Sequence, residues 1–249
     1  MITIRPAAER GHGQHGWLDT RHTFSFNDYH DPRHMGFRVL RVINEDRVQP
    51  GQGFGMHGHR DMEIISYVLE GALAHRDSLG NGSVLRQGEF QCMTAGTGIR
   101  HSEFNPSDRE PVHFYQIWLY PDQRGLAPSY DQRRLPAVRP KNQLLPVASG
   151  QGLPDVVTFH TDATIYLSDF EAQQTVTFPT DGSRRVFLYL TDGDLDVLGE
   201  ALHAKDQARI DPEAALTLTA RSDVRFVLID VPSCRGWGYD QATLRGVRR

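Results

Sequence analysis

The chain alternates short runs of β-favouring residues with turn residues, and this alternation constrains its fold more than any other feature. No segment longer than about ten residues shows the 3.6-residue period of an amphipathic helix. Many short strands with turns every 8–12 residues are typical of a β-sandwich or barrel. The predicted strands are Arg38–Asn44, Ile64–Glu70, Leu73–Arg76, Glu89–Met93, Val112–Tyr120, Val156–His160, Ile165–Asp169, Thr175–Phe178, Arg184–Leu190, Ala215–Ala220 and Val224–Asp230. We therefore predict an all-β fold.

Two halves of similar pattern are visible along the sequence. A proline-rich stretch at residues 128–146 reads as the connection between them. Residues 65–71 resemble residues 186–193, since each is an apolar run that ends in an acidic residue and a glycine. A chain of 249 residues is long enough for two cores of this kind. The predicted segments are an N-terminal domain at 1–135, a C-terminal domain at 136–232 and a tail at 233–249.

Composition excludes several classes of function. The formal net charge is −4, which gives no electrostatic basis for direct binding to nucleic acid or to an anionic membrane. No apolar run approaches the length of a transmembrane helix, and no signal peptide is visible. Two cysteines, Cys92 and Cys234, fit a reducing compartment, and Cys92 is expected to be a small buried apolar residue. We expect a cytoplasmic protein, and a monomer.

Histidines carry the chemical signal, because ten of the twelve precede residue 114. His57 and His59 are two positions apart, as are His101 and Glu103, so each pair projects from one face of a strand. If the two strands are neighbours, three imidazoles and one or two carboxylates converge. Such a set suits Fe, Mn, Cu, Ni or Zn with positions left open for substrate. Glu63 shares the parity of the first pair if that strand continues, so parity alone does not choose between Glu63 and Glu103 as the carboxylate ligand.

Other residues of the first half are weaker candidates. Four histidines lie in loop sequence and are expected at the surface: His12, His15, His30 and His34. Gln116 could bond a substrate hydroxyl, and His113 points to the opposite face of the same strand, so at most one of the two faces the site. Apolar residues that could wall a flat substrate are Phe37, Phe54, Met56, Phe90, Met93, Phe114 and Trp118.

Ordered motifs in the first half resemble a known family. Residues 51–71 are similar to the first cupin motif, and residues 88–105 are similar to the second. More narrowly, residues 94–103, 57–63 and 22–26 resemble the pirin family. The resemblance is close over roughly residues 1–135, and the rest of the chain resembles the family only in outline.

The resemblance implies a fold and a ligand set. The fold is a bicupin, two tandem double-stranded β-helix (jelly-roll) barrels with a metal only in the N-terminal one. The ligands it implies are His57, His59, His101 and Glu103, which leaves Glu63 outside the ligand set. The cofactor is then one divalent transition metal, with Fe(II) expected ahead of Cu, Ni, Mn and Zn.

Counting along the second half agrees with an absence of metal there. The two halves can be aligned on the acid–glycine turn and on the turn that follows it. In that alignment the positions of the four ligands are occupied in the second half by Pro179, Asp181, Thr219 and Arg221. No His-x-His pair occurs after residue 114. We expect no metal in the C-terminal domain.

The same resemblance implies quercetinase-type activity. In that reaction a flavonol such as quercetin is opened at its heterocyclic ring with O2, and carbon monoxide is released. Glu103 would be both a ligand and the base that takes the proton of the substrate hydroxyl. A competing hypothesis is a metal- or redox-responsive regulatory protein that binds a transcription or metabolic protein partner. A third is a metal-dependent isomerase or epimerase, which needs no O2.

Overall fold

The computed structural model describes residues 1–136, 139–211 and 215–234. The strands in these ranges are β1 Ile2–Arg5, β2 Gly11–Gln14, β3 Leu18–His22, β4 Leu40–Val48, β5 Gly53–His59, β6 Glu63–Glu70, β7 Ala72–Asp77, β8 Gly82–Arg86, β9 Glu89–Thr94, β10 Ile99–Phe104, β11 Val112–Leu119, β12 Ser129–Arg134, β13 Leu144–Ser149, β14 Val157–Thr158, β15 Thr164–Phe170, β16 Thr175–Pro179, β17 Arg184–Asp192, β18 Asp194–Val197, β19 Glu200–His203, β20 Gln207–Ile210, β21 Ala215–Ala220 and β22 Val224–Pro232. One turn of 3-10 helix, Ala7–Glu9, accompanies them. The predicted all-β class is confirmed. In the described part of the chain no helix has the length and apolar character needed to span a membrane.

Two compact units make up the fold. The first, here the N-terminal barrel, comprises residues 11–135 and 157–161. Its two sheets have the strand orders β12-β9-β6-β11-β4-β3-β2 and β5-β10-β7-β8. All the strand pairs that form these sheets are antiparallel, as a jelly roll requires.

The second unit, here the C-terminal barrel, repeats this plan. It comprises residues 1–10, 136–156 and the described residues from 162 onward. One sheet contains the order β1-β20-β17-β22-β15-β13, and the other has the order β16-β21-β18-β19. Each strand has a counterpart in the N-terminal barrel, and β1 occupies the edge position that β12 occupies there. The two-barrel fold class is confirmed.

The compact units do not coincide with the predicted segments 1–135 and 136–232. Residues 1–10 cluster with the second segment because β1 pairs with β20, Ile2 opposite Ile210. Residues 157–161 cluster with the first. We retain the two-domain division as a proposal with these two exchanges. The predicted tail, 233–249, lies outside the described residues from position 235.

The acid–glycine turns predicted to be equivalent share one backbone conformation. Gly71 and Gly193 have φ of +76° and +80°, which L side chains rarely adopt. A Cβ on Gly71 would lie 2.8 Å from the carbonyl oxygen of Pro111, and one on Gly193 would lie 2.2 Å from that of Asp223. Glycine is therefore required at both turns, by backbone conformation and by the close approach of a neighbouring chain.

Two predicted strands differ from the structure at their ends. The strand predicted to start at Arg38 starts at Leu40, because residues 37–40 form a tight turn in which Arg38 has φ of +56°. The strand predicted at 156–160 is reduced to β14. Two of its backbone groups bond outside a sheet: the Thr158 N–H donates to the Asp131 carboxylate, and the His160 carbonyl accepts from the Asp122 N–H.

The inner face of the N-terminal barrel carries polar residues between apolar ones. Along β6, Ser66 lies between Ile64 and Val68, which belong to two separate apolar clusters. Along β11, Gln116 lies likewise between Phe114 and Trp118. Ser66 and Gln116 are cross-strand partners, so the sheet places one polar layer between the two apolar clusters.

The C-terminal barrel has no such layer on the equivalent strands. There Leu188 of β17 pairs with Leu228 of β22, and both belong to one continuous apolar cluster. Apolar side chains also occupy the inner face of the other sheet, where Phe178 pairs with Leu216. The two barrels therefore share a backbone plan but have different interiors.

Because Ile4 of β1 packs against the core of the C-terminal barrel, we predict that Ile4→Ala weakens that barrel. Ile4 is half-buried, so a loss of about 1–2 kcal/mol in the free energy of unfolding is expected, below the usual range for a fully buried isoleucine. Hydrogen exchange should accelerate in β20 and β17 and remain unchanged in β9 and β6. Thr3→Ala, on the exposed face of the same strand, is the matched control. Faster exchange confined to β9 and β6 would contradict the assignment of β1.

Candidate metal centre

Strands β5 and β10 bring three histidines together. His101 lies directly opposite His57 in the antiparallel pair, and Ile99 lies opposite His59. The ring centroids are 4.4 Å apart for His57 and His101, 4.7 Å for His57 and His59, and 4.9 Å for His59 and His101. Strand β5 is an edge strand of its sheet, which leaves His57 and His59 half-buried while His101 is buried. The cluster is therefore reachable from the sheet edge.

A β-bulge on β5 lies opposite His101 and Glu103 of β10. The register shifts between these residues, so Glu103 lies opposite Phe54 of β5 and opposite His75 of β7. At the bulge the two backbones approach closely, and a Cβ on Gly53 would lie 2.2 Å from the Glu103 carbonyl oxygen. Only glycine fits there. The extra residue is on β5, whereas β10 pairs regularly with β7 and keeps Glu103 on the same face as His101.

Two overlapping groups of side chains can hold a metal ion. The first comprises His57, His59 and His101, with ligand atoms all within 4.8 Å of one another. The second comprises His75, His101 and Glu103, within the same limit. His101 belongs to both groups. The structure thus brings the four residues expected as ligands into one region, with Glu103 joined to the three histidines through His101.

Two of the three histidines, His59 and His101, are in the form that binds a metal. Burial lowers the pKa of His59 to about 3, helped by the neighbouring rings of His101 and His57. Burial likewise lowers the pKa of His101 to about 3, helped by His57 and His75. Both rings are therefore neutral near pH 7.

Several ring nitrogens are also left without a hydrogen bond. Among the described residues, Nε2 of His59 and both ring nitrogens of His101 are buried and lack a partner. Nδ1 of His57 is 2.7 Å from the Gly55 carbonyl oxygen. If Nδ1 donates there, Nε2 of His57 keeps a free lone pair. Buried polar atoms normally have partners, so this donor set fits a transition metal.

Three donors hold the Glu103 carboxylate. Its Oε1 accepts from Ser66 Oγ at 3.2 Å and from Gln91 Nε2 at 3.1 Å, and its Oε2 accepts from Gln116 Nε2 at 2.8 Å. The Trp118 indole N–H donates to Gln116 Oε1 at 3.1 Å. These donors fix the direction of a carboxylate that is almost fully buried.

Trp118 also contacts the histidines directly. Its ring packs edge-on against His59 with centroids 4.9 Å apart. Since Gln116 joins Trp118 to Glu103, one chain of contacts links a histidine on β5 to the carboxylate on β10. Sequence reasoning left open which of Gln116 and His113 faces the interior. Gln116 does, and His113 instead pairs with Glu45 at 3.0 Å.

Sequence reasoning missed His75. It is fully buried, its Nε2 lies 3.2 Å from Asp77 Oδ2, and its Nδ1 has no partner among the described residues. The Tyr130 ring stacks on it at 4.7 Å. The available signal was its parity with Leu73, a core residue of the same strand. A histidine in an apolar alternation is buried, and a buried histidine needs partners.

Glu63, which parity left open as a carboxylate ligand, faces away from this cluster. Strand β5 ends at His59, and Glu63 begins β6 in the other sheet. Its Oε2 accepts from Thr94 Oγ1 at 2.8 Å, and its Oε1 lies 3.6 Å from His160 Nδ1. Burial raises the pKa of this carboxyl. The assumption that the first strand continues through Glu63 was wrong.

Most of the remaining sequence predictions are confirmed. Cys92 is buried as expected, and burial raises the pKa of its thiol. His12, His15 and His30 are exposed as expected, whereas His34 is half-buried, 3.9 Å from Asp31.

Of the proposed substrate walls, two belong to the apolar cluster beside His59. Trp118 contacts His59, and Met93 shares its cluster. Phe54 packs on Trp17, and Phe90 stacks on Tyr67. Met56 is exposed. Phe37 and Phe114 are buried, Phe114 within the other apolar cluster.

Because His101 stays neutral down to about pH 3 in the folded chain but protonates near pH 6.5 when unfolded, acid should destabilise the metal-free protein. The unfolded state binds the extra proton, so the free energy of unfolding falls as the pH drops from about 7 to about 5, by roughly 1–2 kcal/mol for this ring. His101→Gln should lose that part of the pH dependence. Urea unfolding of chelator-treated protein at both pH values measures it, with exposed His30→Gln as the control. An unchanged slope in His101→Gln would contradict the assignment.

Comparison with known proteins agrees with the fold and with the motifs. The pirin family model matches residues 4–119, and a model described as the quercetinase C-terminal cupin domain matches residues 146–231. The chain is 45% identical over 232 residues to a protein of Escherichia coli K12 named quercetin 2,3-dioxygenase, covering 93% of this chain and 99% of that protein.

Solved structures give the same result. The crystal structure of YhhW from Escherichia coli is 44% identical and matches with a TM-score of 0.90, covering 94% of this chain and 99% of that one. A structure of the bacterial pirin YhhW in complex with nickel(II) matches with a TM-score of 0.88 at 44% identity, covering 93% of this chain and 99% of that one. On these matches, together with the motifs and the two barrels, the chain belongs to the pirin family.

Proposed function

We propose that this protein is a metal-dependent quercetin 2,3-dioxygenase that opens the heterocyclic ring of a flavonol with O2 and releases carbon monoxide. The observation that carries the proposal is a cluster of three histidines beside a buried carboxylate, in which His59 and His101 are neutral and have unpartnered ring nitrogens. The name of the Escherichia coli relative supports the choice of reaction.

The proposed metal ligands are His57, His59, His101 and Glu103, and the proposed native metal is Fe(II). The nickel complex of a relative supports a divalent metal in this fold. Imidazole and carboxylate also suit Cu, Ni, Mn and Zn, so metal supply decides in part which ion is held. When bound, the metal supplies Lewis-acid polarisation of the substrate hydroxyl and a redox centre for the reaction with O2.

Glu103 is also proposed as the base that takes the proton of the flavonol 3-hydroxyl. An ionised carboxylate has about four acceptor positions, and Ser66, Gln91 and Gln116 use three of them. One position on Oε2 remains, so Glu103 would serve the metal and the substrate proton in turn rather than at the same time. The three donors hold the carboxylate in place before substrate arrives, which lowers the cost of orienting it during the reaction.

The apolar cluster next to the ligands is proposed to bind the flat rings of the substrate. Ile64, Met93, Ala95 and Ile99 form this cluster, and Trp118 packs against it. Apolar walls with a few placed polar groups are typical of small-molecule sites. They also keep bulk water away from the deprotonated flavonol.

Reconstitution with Fe(II) tests the function directly. We expect aerobic loss of the flavonol absorbance with release of carbon monoxide, and a loss of at least about 100-fold in rate when the metal is chelated or when His57→Ala and His101→Ala are combined. The exposed His30→Ala is the matched control and should retain the wild-type rate. Parallel loading with Ni, Cu, Mn and Zn tests the choice of Fe(II).

Each other outcome selects a different function. Absence of turnover with every metal, in protein shown to contain metal, would exclude the dioxygenase. It would favour a metal-responsive regulatory protein with a protein partner. Turnover of a substrate without O2 would instead favour a metal-dependent isomerase or epimerase.

Gln116→Met should lower kcat about 10- to 100-fold while the metal content stays near that of the wild type. The substitution keeps the size of the side chain but removes the shortest hydrogen bond to Glu103 and the acceptor of the Trp118 indole. Gln87→Met, in the exposed turn between β8 and β9, is the control. Steady-state kinetics with metal analysis of the same samples measures both. An unchanged kcat would refute the positioning role of Gln116.

A further inference from the structure

Strand β7 carries a histidine and an aspartate on the face that holds the proposed ligands of β10. His75 lies directly opposite Glu103 of β10, and Asp77 lies opposite His101. Both side chains of β7 are fully buried. Neither belongs to the proposed ligand set, yet burying an imidazole and a carboxyl group costs free energy unless each has partners. The partners of His75 and Asp77 therefore show what this pair does beside the metal centre.

Asp77 fixes the way in which the His75 ring is held. Its Oδ1 accepts from the N–H groups of Leu79 and Asn81 at 2.9 and 3.0 Å. Its Oδ2 accepts from Asn81 Nδ2 at 2.9 Å and lies 3.2 Å from His75 Nε2. An ionised carboxylate only accepts hydrogen bonds, so Nε2 of His75 is the donor, and the neutral ring keeps its lone pair on Nδ1. The Tyr130 ring stacks on the same imidazole at 4.7 Å and restricts its rotation.

The lone pair of His75 lies next to an imidazole that needs an acceptor. Nδ1 of His75 and both ring nitrogens of His101 are buried without a partner among the described residues. If one nitrogen of His101 binds a metal, the other carries a proton that needs a hydrogen bond. The centroids of the two rings are 5.4 Å apart. Two imidazoles joined by an N–H···N hydrogen bond have centroids about 5 Å apart, because about 3 Å separates their nitrogens.

The two neighbouring carboxylates have no position to spare for His101. The four acceptor positions of Asp77 are used by the donors described above. Glu103 has one position left, and as a ligand it uses that position for the metal. A ring nitrogen of His75 lies within 4.8 Å of a ring nitrogen of His101. His75 thus offers His101 an unused acceptor at close range.

We propose that His75 is a positioning residue for the metal centre, and that its Nδ1 accepts a hydrogen bond from His101 when the other ring nitrogen of His101 binds the metal. Asp77 holds His75 in the tautomer that can accept. The proposal rests on the proposed ligand set, which includes His101. A hydrogen bond of this kind fixes the tautomer and the direction of a ligating imidazole and makes it a stronger donor to the metal.

Two substitutions of His75 separate its two nitrogens. His75→Gln can still donate to Asp77 but has no acceptor near the place of Nδ1, whereas His75→Asn places an amide oxygen there. We expect His75→Gln to weaken Zn(II) binding about 10- to 100-fold, and His75→Asn to recover most of that loss. His113→Gln is the matched control, since His113 is a buried histidine that pairs with Glu45 at 3.0 Å, and it should bind Zn(II) as the wild type does.

These affinities are measured by competition with a chelator, and thermal unfolding of the metal-free variants shows whether each keeps the fold. Equal Zn(II) affinity in the wild type and in His75→Gln would overturn the positioning role. So would a loss in His75→Gln that His113→Gln shares, because a loss of that kind reports only a damaged barrel.

The tautomers are read directly in the wild-type protein, so the proposal does not depend on how the variants fold. Long-range ¹H–¹⁵N spectra of the Zn(II)-loaded protein should show His75 with its proton on Nε2. They should show His101 with Zn(II) on one nitrogen and a proton on the other. A proton on Nδ1 of His75, or Zn(II) bound to His75 itself, would overturn the proposal.

Neither experiment uses a flavonol or O2, which keeps this proposal distinct from the proposed reaction. Protein that shows these tautomers but turns over no flavonol would refute the dioxygenase and retain the role of His75. Protein that turns over quercetin while His75→Gln binds Zn(II) as the wild type does would retain the dioxygenase and refute that role. Wild-type protein that binds no Zn(II) would refute the ligand set and the role of His75 together.

Discussion

A carboxyl group buried inside a barrel needs hydrogen-bond partners, and the interior of the N-terminal barrel is arranged around that need. Leaving such a group unpartnered costs several kcal/mol. Ser66, Gln91 and Gln116 supply the donors for Glu103, each from a different strand of the opposite sheet. The polar layer between the two apolar clusters is this set of donors. The regular pairing of β10 with β7 then gives Glu103 its direction, and the glycine at position 53 allows β5 to approach closely.

The C-terminal barrel has the same backbone plan without a polar layer on the equivalent strands. Leu188 and Leu228 form a cross-strand pair on the strands equivalent to those that hold Ser66 and Gln116. The interior is then one apolar cluster rather than two clusters with a polar layer between them. Burial of apolar side chains stabilises a fold, and a polar layer takes the place of part of that apolar burial. One barrel can therefore be built for packing while the other holds the chemistry.

The sequence predicted the fold class and most of the candidate site, and the failures have physical causes. His57, His59 and His101 were found because two-residue spacing on a strand is local information. Whether Glu63 faces the histidines depends on where β5 ends, and a turn after His59 ends that strand. His75 and Gln116 were missed or left open because their role depends on cross-strand register with Glu103 and Ser66. Register is a long-range property that parity along one strand does not contain.

The pairing of β1 with β20 places the first residues of the chain in the barrel that is completed last. The Met1 amino group donates to the Asp211 carbonyl oxygen across 210 positions. At the usual speed of translation, roughly 10 to 40 s separate the synthesis of these two residues. During that interval the N-terminal barrel can form without β1, and β1 stays unpaired until β20 has been synthesised. Whatever is joined to the amino terminus, such as a tag or a fusion, is thus attached to the edge of the C-terminal barrel.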